Sequence, residues 1–162
     1  MKRKNNIFCL TGEYGTGYDV NGNVFYFDLE DYDRIKGYYW YRHEFGYIKG
    51  WVNGKQTMLH RFIMNTNSIK EIDHIDHTKA DCRKRNLRLC SRQQNAYNQP
   101  LQKSNTSGYK GVDLHKSSGK YRARISAMGK RFELGYFNTP QEAYEEYCKA
   151  SNLYHGGYGC VI

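Results

Sequence analysis

The sequence predicts an α+β fold laid out in consecutive pieces. Short aromatic runs separated by turn signals fill residues 1–58. A strand, a polar loop, a second strand and a helix follow over 59–100. Three alternating strands and one helix then occupy 109–162, giving a three-stranded antiparallel sheet packed on one helix. At 162 residues and 39% hydrophobic, the chain supports modest cores and not one large one.

In residues 1–58, Val24–Phe27 is a strand after the Asn21-Gly22 turn signal. Leu29–Gly37 is a short helix capped by Asp28 and ended by Gly37. Tyr38–His43 and Tyr47–Val52 form a hairpin about Glu44–Gly46, and Asn53-Gly54 makes a tight turn into KQTML. Such aromatic strands form the packing face of a small sheet more often than a base-stacking platform. In the middle, Leu59, Phe62 and Ile63 suit one or two helical turns. EIDHID is a strand, HTKADCRKR a loop and NLRLC a second strand. Ser91 with Gln94 has the capping-box pattern of a helix start.

Residues 101–108 are polar and turn-rich and read as a linker. YKGVDLH, KYRARISAM and KRFELGYF are strands. In the second, alternation puts Lys120, Arg122 and Arg124 on one face, with Tyr121, Ala123 and Ile125 under the helix. That helix starts with three agreeing signals, Thr139 as cap, Pro140 and Glu142, and buries Ala143, Tyr147 and Ala150.

The net charge is +9, distributed as +1 over residues 1–58 and +4 over each of 59–100 and 101–162. The excess points to a polyanionic partner, held by the last two thirds of the chain. Five cysteines with no C-x-x-C spacing argue against a zinc ribbon and a disulfide framework. The basic start lacks the apolar run of a signal peptide, and no stretch approaches a membrane span. The expectation is a cytoplasmic protein with no membrane and no obligate protein partner.

The densest chemistry lies in EIDHIDHTKADCRKRNLRLCSRQQNAYN, Glu71–Asn98. Hydrolysis of a phosphodiester needs a base for the attacking water and positive charge at the leaving oxygen. Asp73 and His74 are adjacent on a strand, so their side chains face opposite ways. Asn95 on the helix offers another oxygen, and the Asn86 amide either fixes the loop backbone or orients the imidazole. Each has an ordinary alternative: a satisfied strand histidine, a turn-capping aspartate, a loop asparagine and a helix asparagine. Their joint spacing favours a site.

DH-I-D at 73–76, NL at 86–87, QNAYN at 94–98, and the preceding HR at 60–61 resemble the HNH endonucleases. The closer likeness is to the homing enzymes of phage and intron origin, whose last histidine is replaced by asparagine. The separations, 12 residues from His74 to Asn86 and 21 to Asn95, agree. The resemblance implies a ββα fold around one divalent metal, Mg2+ or Mn2+. His74 would be the general base, Asp73 and Asn95 metal ligands, and Asn86 the residue that holds His74. His77 departs from the pattern, since a glycine or small turn residue is common there; it reads as a solvent-exposed turn residue. Arg83, Lys84, Arg85, Arg88 and Arg92 suit phosphate contacts. His60 and Arg61 either bind phosphate or pack the LHRFIM turn.

YKGV, KYRARI, K-x-x-x-LG-x-F and the A-Y-x-x-Y helix resemble the Apetala-type, or ethylene-response-factor, DNA-binding domain over residues 105–157. That likeness lays the sheet in the major groove. Arg122 and Arg124 are the candidates for base contacts. Lys120 on the same face is a further DNA-binding candidate, and Tyr109, Lys110, His115, Lys116, Lys130 and Arg131 are weaker candidates for DNA contacts. The expected partition is a β-rich region (1–58) bracing a nuclease unit (59–100), a linker (101–108) and a DNA-binding domain (109–162). The expected function is a homing or mobile-type endonuclease on double-stranded DNA, monomer or homodimer, in a bacterial host if phage-encoded. The rivals are a non-catalytic DNA-binding regulator that keeps the scaffold, and an RNA-binding protein that uses its tyrosines for stacking.

Overall fold

A computed structural model describes residues 5–66 and 69–160. The first four residues of the basic start therefore lie outside the described part. The chain divides into two compact units, Met1–Ser91 and Arg92–Ile162. The expected linker at 101–108 falls within the second.

Among the described residues, the first unit holds three antiparallel sheets. β1 (Ile7–Cys9), β2 (Gly15–Tyr18) and β3 (Val24–Phe27) form one in chain order. After a 3-10 turn at Leu29–Asp31 and α1 (Tyr32–Ile35), β4 (Trp40–Arg42), β5 (Ile48–Val52) and β6 (Lys55–Met58) form the second. α2 (Leu59–Met64) leads to the two-stranded hairpin of β7 (Glu71–His74) and β8 (Leu87–Cys90). The hairpin turns fall as expected: Asn53 and Gly54 both have positive φ, the pair that a two-residue turn of this hand requires.

The sequence did not single out β2, because glycines weaken a strand pattern. Their purpose is steric. A Cβ on Gly15 would lie 2.2 Å from the Phe27 ring, and one on Gly17 2.2 Å from the Phe25 ring. Both phenylalanines can therefore lie flat on β2 and stay fully buried. They join Ile35, Trp40, Ile48, Leu59, Ile63, Ile72 and Leu87 in one apolar core. The helix expected over 29–37 is instead a 3-10 turn and one turn of α-helix. Asp28 does not cap it through its side chain. Its Oδ2 accepts from the Lys84 backbone N–H at 2.8 Å, a partner 56 residues away.

In the second unit, α3 (Arg92–Tyr97) starts directly after Ser91. β9 (Val112–His115), β10 (Lys120–Ala127) and β11 (Lys130–Phe137) form an antiparallel meander, with α4 (Pro140–Tyr154) packed on it. Thr139 and Glu142 make the full reciprocal capping box. Ala123 packs with Ala143, and Ile125 with Tyr147 and Ala150, so the expected inner face is the observed one. No helix among the described residues is long and apolar enough to cross a membrane.

Candidate active site

The β7–β8 hairpin sets the site. Its register pairs Asp73 with Arg88 and His74 with Leu87. β7 ends at His74, and the chain then bends away under the control of Asn86. The Asn86 carbonyl accepts from Ile75 N at 2.9 Å, its Oδ1 from Asp76 N at 3.0 Å, and its Nδ2 donates to Asp81 O at 3.1 Å. A buried amide has few partners to choose from, and these bonds are those of a loop-fixing residue. The far end of the loop is strapped to β3: Tyr26 N donates to Ala80 O and Cys82 N to Tyr26 O, both at 2.9 Å.

His77 sits inside this loop with φ of 66°. That is the left-handed backbone for which glycine is the usual choice, which explains why a small residue is common there. It is half-buried rather than solvent-exposed.

His74 is 5% exposed. The His60 ring meets it edge to face, with centroids 5.0 Å apart at 90°. Tyr47 packs against both, at 5.6 Å from His60 and 5.8 Å from His74. Sequence reasoning missed Tyr47, which was legible only as one more aromatic of the hairpin. Burial lowers the His74 pKa, opposed by the carboxylates of Asp73, Asp76 and Asp81. The imidazole is thus held toward its neutral form, the state in which a ring nitrogen accepts a proton. Burial, helped by His74 and Arg61, drives His60 down to about 3. His60 is therefore a neutral, buried ring in the wall of the site. Arg61, its neighbour, is exposed.

Asp73 is buried and accepts from Arg88 through Nε at 2.9 Å and Nη2 at 2.7 Å. Arg83 is clamped on both oxygens of Asp81 and stacks over Tyr14 at 4.2 Å. Lys84 is bound to Glu30 and Asp31. Three of the cations expected at phosphate are thus already neutralised by carboxylates of the fold. Arg85 is exposed and lies 6.0 Å over Tyr14.

The second unit carries Arg92, exposed, and Asn95, half-buried, both on α3. Tyr97 of the same helix stacks on His155, 3.7 Å between centroids. Lys110, read as a weak DNA contact, turns its ammonium to the Tyr97 and Gln99 carbonyls at 2.7 and 2.6 Å. It closes the C-terminal end of α3, where free carbonyls favour a cation. Tyr109 packs on Tyr144, and His115 bonds Ser118 at 2.9 Å. Lys116 is exposed.

On the sheet's open face, Arg122 and Arg124 share Asp113, at 2.8 and 2.6 Å. Arg131, opposite Ser126, and Lys120, opposite His115, belong to that same face. Lys130 pairs with Ala127, whose side chain is buried on the helix side, so Lys130 leaves the sheet on the other face.

Among the described residues no group of three or more His, Cys, Asp or Glu side chains is placed to hold a metal ion. The expected set is of another kind, the Asp73 carboxylate and the Asn95 amide oxygen. Both are hard oxygen donors of the type that Mg2+ or Mn2+ takes. Asp73 lies in the first unit, where Arg88 already engages it, and Asn95 in the second.

A family model described as HNH endonuclease matches residues 41–97, a span that takes in β4 through α3. A protein named as an HNH endonuclease of Acanthamoeba polyphaga mimivirus is 33% identical over 132 residues, covering 78% of this chain and 67% of that protein. Protein 3.8 of Escherichia phage T7 is 40% identical over 60 residues, 37% of this chain and 50% of its own length. The chain thus spans half of the phage relative. No solved structure matches.

Proposed function

The chain belongs to the HNH endonuclease family, and from that premise we propose that it is a metal-dependent DNA endonuclease of the homing or mobile-element type. HNH nucleases act on DNA and generally use a divalent metal. The observation that carries the reading is His74 at the end of β7, buried, held toward its neutral form and fixed by a loop that Asn86 anchors.

His74 takes the proton of the attacking water. Asn86 acts at one remove, by fixing the chain that leaves His74. Asp73 and Asn95 would hold the cation, which when bound supplies positive charge at the scissile phosphate and the departing 3′ oxygen. Arg88 holds the Asp73 carboxylate in place. The product carries a 5′ phosphate.

The second unit would hold DNA through the open face of β9–β11, in the manner of the Apetala-type domains it resembles. Asp113 supports this by fixing the planes of Arg122 and Arg124, since a guanidinium that is already oriented loses less freedom on meeting a base. Lys120 and Arg131 would add phosphate contacts from the same face, as would Arg61, Arg85 and Arg92 elsewhere.

One observation favours the rival, a non-catalytic DNA-binding regulator: the Asp73 carboxylate is engaged by Arg88. The two readings separate at His74. On DNA flanking the gene, His74→Ala should lose cutting at least a hundredfold and keep the mobility shift of the wild type. Equal cutting by the variant would remove His74 from the chemistry.

A further inference from the structure

Sequence reading placed the phosphate contacts near the site on Arg83, Lys84, Arg85, Arg88 and Arg92. Of these, Arg83, Lys84 and Arg88 are each bound to a carboxylate of the fold. Arg34 and Lys36 are likewise paired, with Asp31 and Asp33. Besides exposed Arg61 and Arg85, further positive charge without a carboxylate partner lies close to the Tyr47 ring that packs on His74.

Lys79 is half-buried in the loop that follows His74. Its ammonium donates to the Phe45 carbonyl at 3.1 Å and lies 4.7 Å over the Tyr47 ring, the ring that packs on His74. Neither partner cancels its charge, and among the described residues Lys79 makes no ion pair. A free lysine side chain loses rotamer entropy when it is fixed, so two contacts already made prepare it to receive an anion.

Arg42 ends β4 on the other side of the same turn, is exposed, and also lacks an ion pair among the described residues. Its backbone N–H is anchored on Asp19 at 3.2 Å. Gly46, at φ of 85°, lies between the two cations. A Cβ there would come within 3.7 Å of Lys79 Cδ and 3.8 Å of Arg42 Nη2. The turn carries one acid, Glu44, 4.0 Å from His43 Nε2. A shallow cleft of about 580 Å3 opens here, lined by Asn23, Arg42, His43, Glu44, Phe45 and Gly46.

We propose that Lys79, from the loop after β7, and Arg42, at the end of β4, form a phosphate clamp beside the β4–β5 turn that grips the DNA backbone next to the bond presented to His74. This rests on the nuclease reading for its catalytic part. The binding part stands on the two uncancelled charges. Lys79, the nearer to His74, would contact the scissile phosphate or its neighbour; Arg42 would contact a phosphate farther along the same strand.

The test uses the full chain and a fluorescent duplex cut from the gene's flanking DNA. Lys79→Met, Arg42→Met, the double variant and Lys79→Arg are compared for urea midpoint, for affinity against salt, and for single-turnover cutting at saturating DNA. The clamp predicts that the log–log salt slope becomes shallower by about 0.9 for each cation removed. It also predicts that cutting slows with Lys79→Met, and that Lys79→Arg recovers the slope. Folded Met variants with an unchanged slope overturn it. Should Lys79→Met fail to fold, Arg42→Met alone still decides, by its slope. If the wild type binds without cutting while the slope still drops, the clamp holds and the nuclease reading is what fails.

Discussion

A buried imidazole that cannot take a proton makes a fold sensitive to acid. His60 is pushed down to about 3 in the folded chain, chiefly by burial, against about 6.5 when unfolded. Between these values the unfolded state binds a proton that the folded state does not, so stability must fall as pH drops from 6.5 toward 3. Urea titrations across that range should show the loss, and His60→Phe should flatten it. An equal slope in the variant would mean that other groups carry the acid sensitivity. Asn86 makes a separate prediction. Asn86→Ala would strip Asp76 N and Asp81 O of their partners. It should cost about 1–3 kcal/mol in urea unfolding. The sequence left open whether Asn86 fixes the loop or orients the imidazole; hydrogen bonds to two loop backbone groups are what spacing alone could not reveal. The cations misled for a similar reason. A sequence displays charge without its partners, and Lys84 finds Glu30 from 54 residues away.

At the scale of elements, the signals that read well were local ones. Thr139, Pro140 and Glu142 are neighbours in the chain and act on one helix end, so the capping box was legible and is present. Thr139→Ala should cost about 1 kcal/mol, read as a lowered urea midpoint of the second unit, and an unchanged midpoint would show that the cap bond contributes nothing net. The alternation of β10 was legible because one face must be buried. β2 was not, since Gly15 and Gly17 are explained only by the two phenylalanine rings laid over them from the next strand. Nor was the shortening of the 29–37 helix. Asp28, the expected cap, serves a backbone N–H brought beside it by tertiary structure. The candidate site divides in the same way. Asp73 and His74 follow from strand pattern and spacing, whereas the His60 and Tyr47 rings around His74 emerge only on folding.

At the scale of the molecule, the net charge of +9 is not spread as a uniform coat. Ion pairs consume much of the basic run after His74 and tie it to the first unit, leaving separate positive positions at the β4–β5 turn and, in the second unit, on the open sheet face. Such an arrangement suits a chain that holds a polyanion at several points and does chemistry at one. The central claim is that this chemistry is metal-dependent hydrolysis at His74. The direct measurement is conversion of supercoiled plasmid carrying the gene's flanking DNA, with magnesium, with manganese and with chelator, wild type beside His74→Ala. The account predicts open-circle or linear product with either metal, none with chelator, and none from the variant. A folded wild type that shifts this DNA yet leaves it supercoiled with both metals would contradict it.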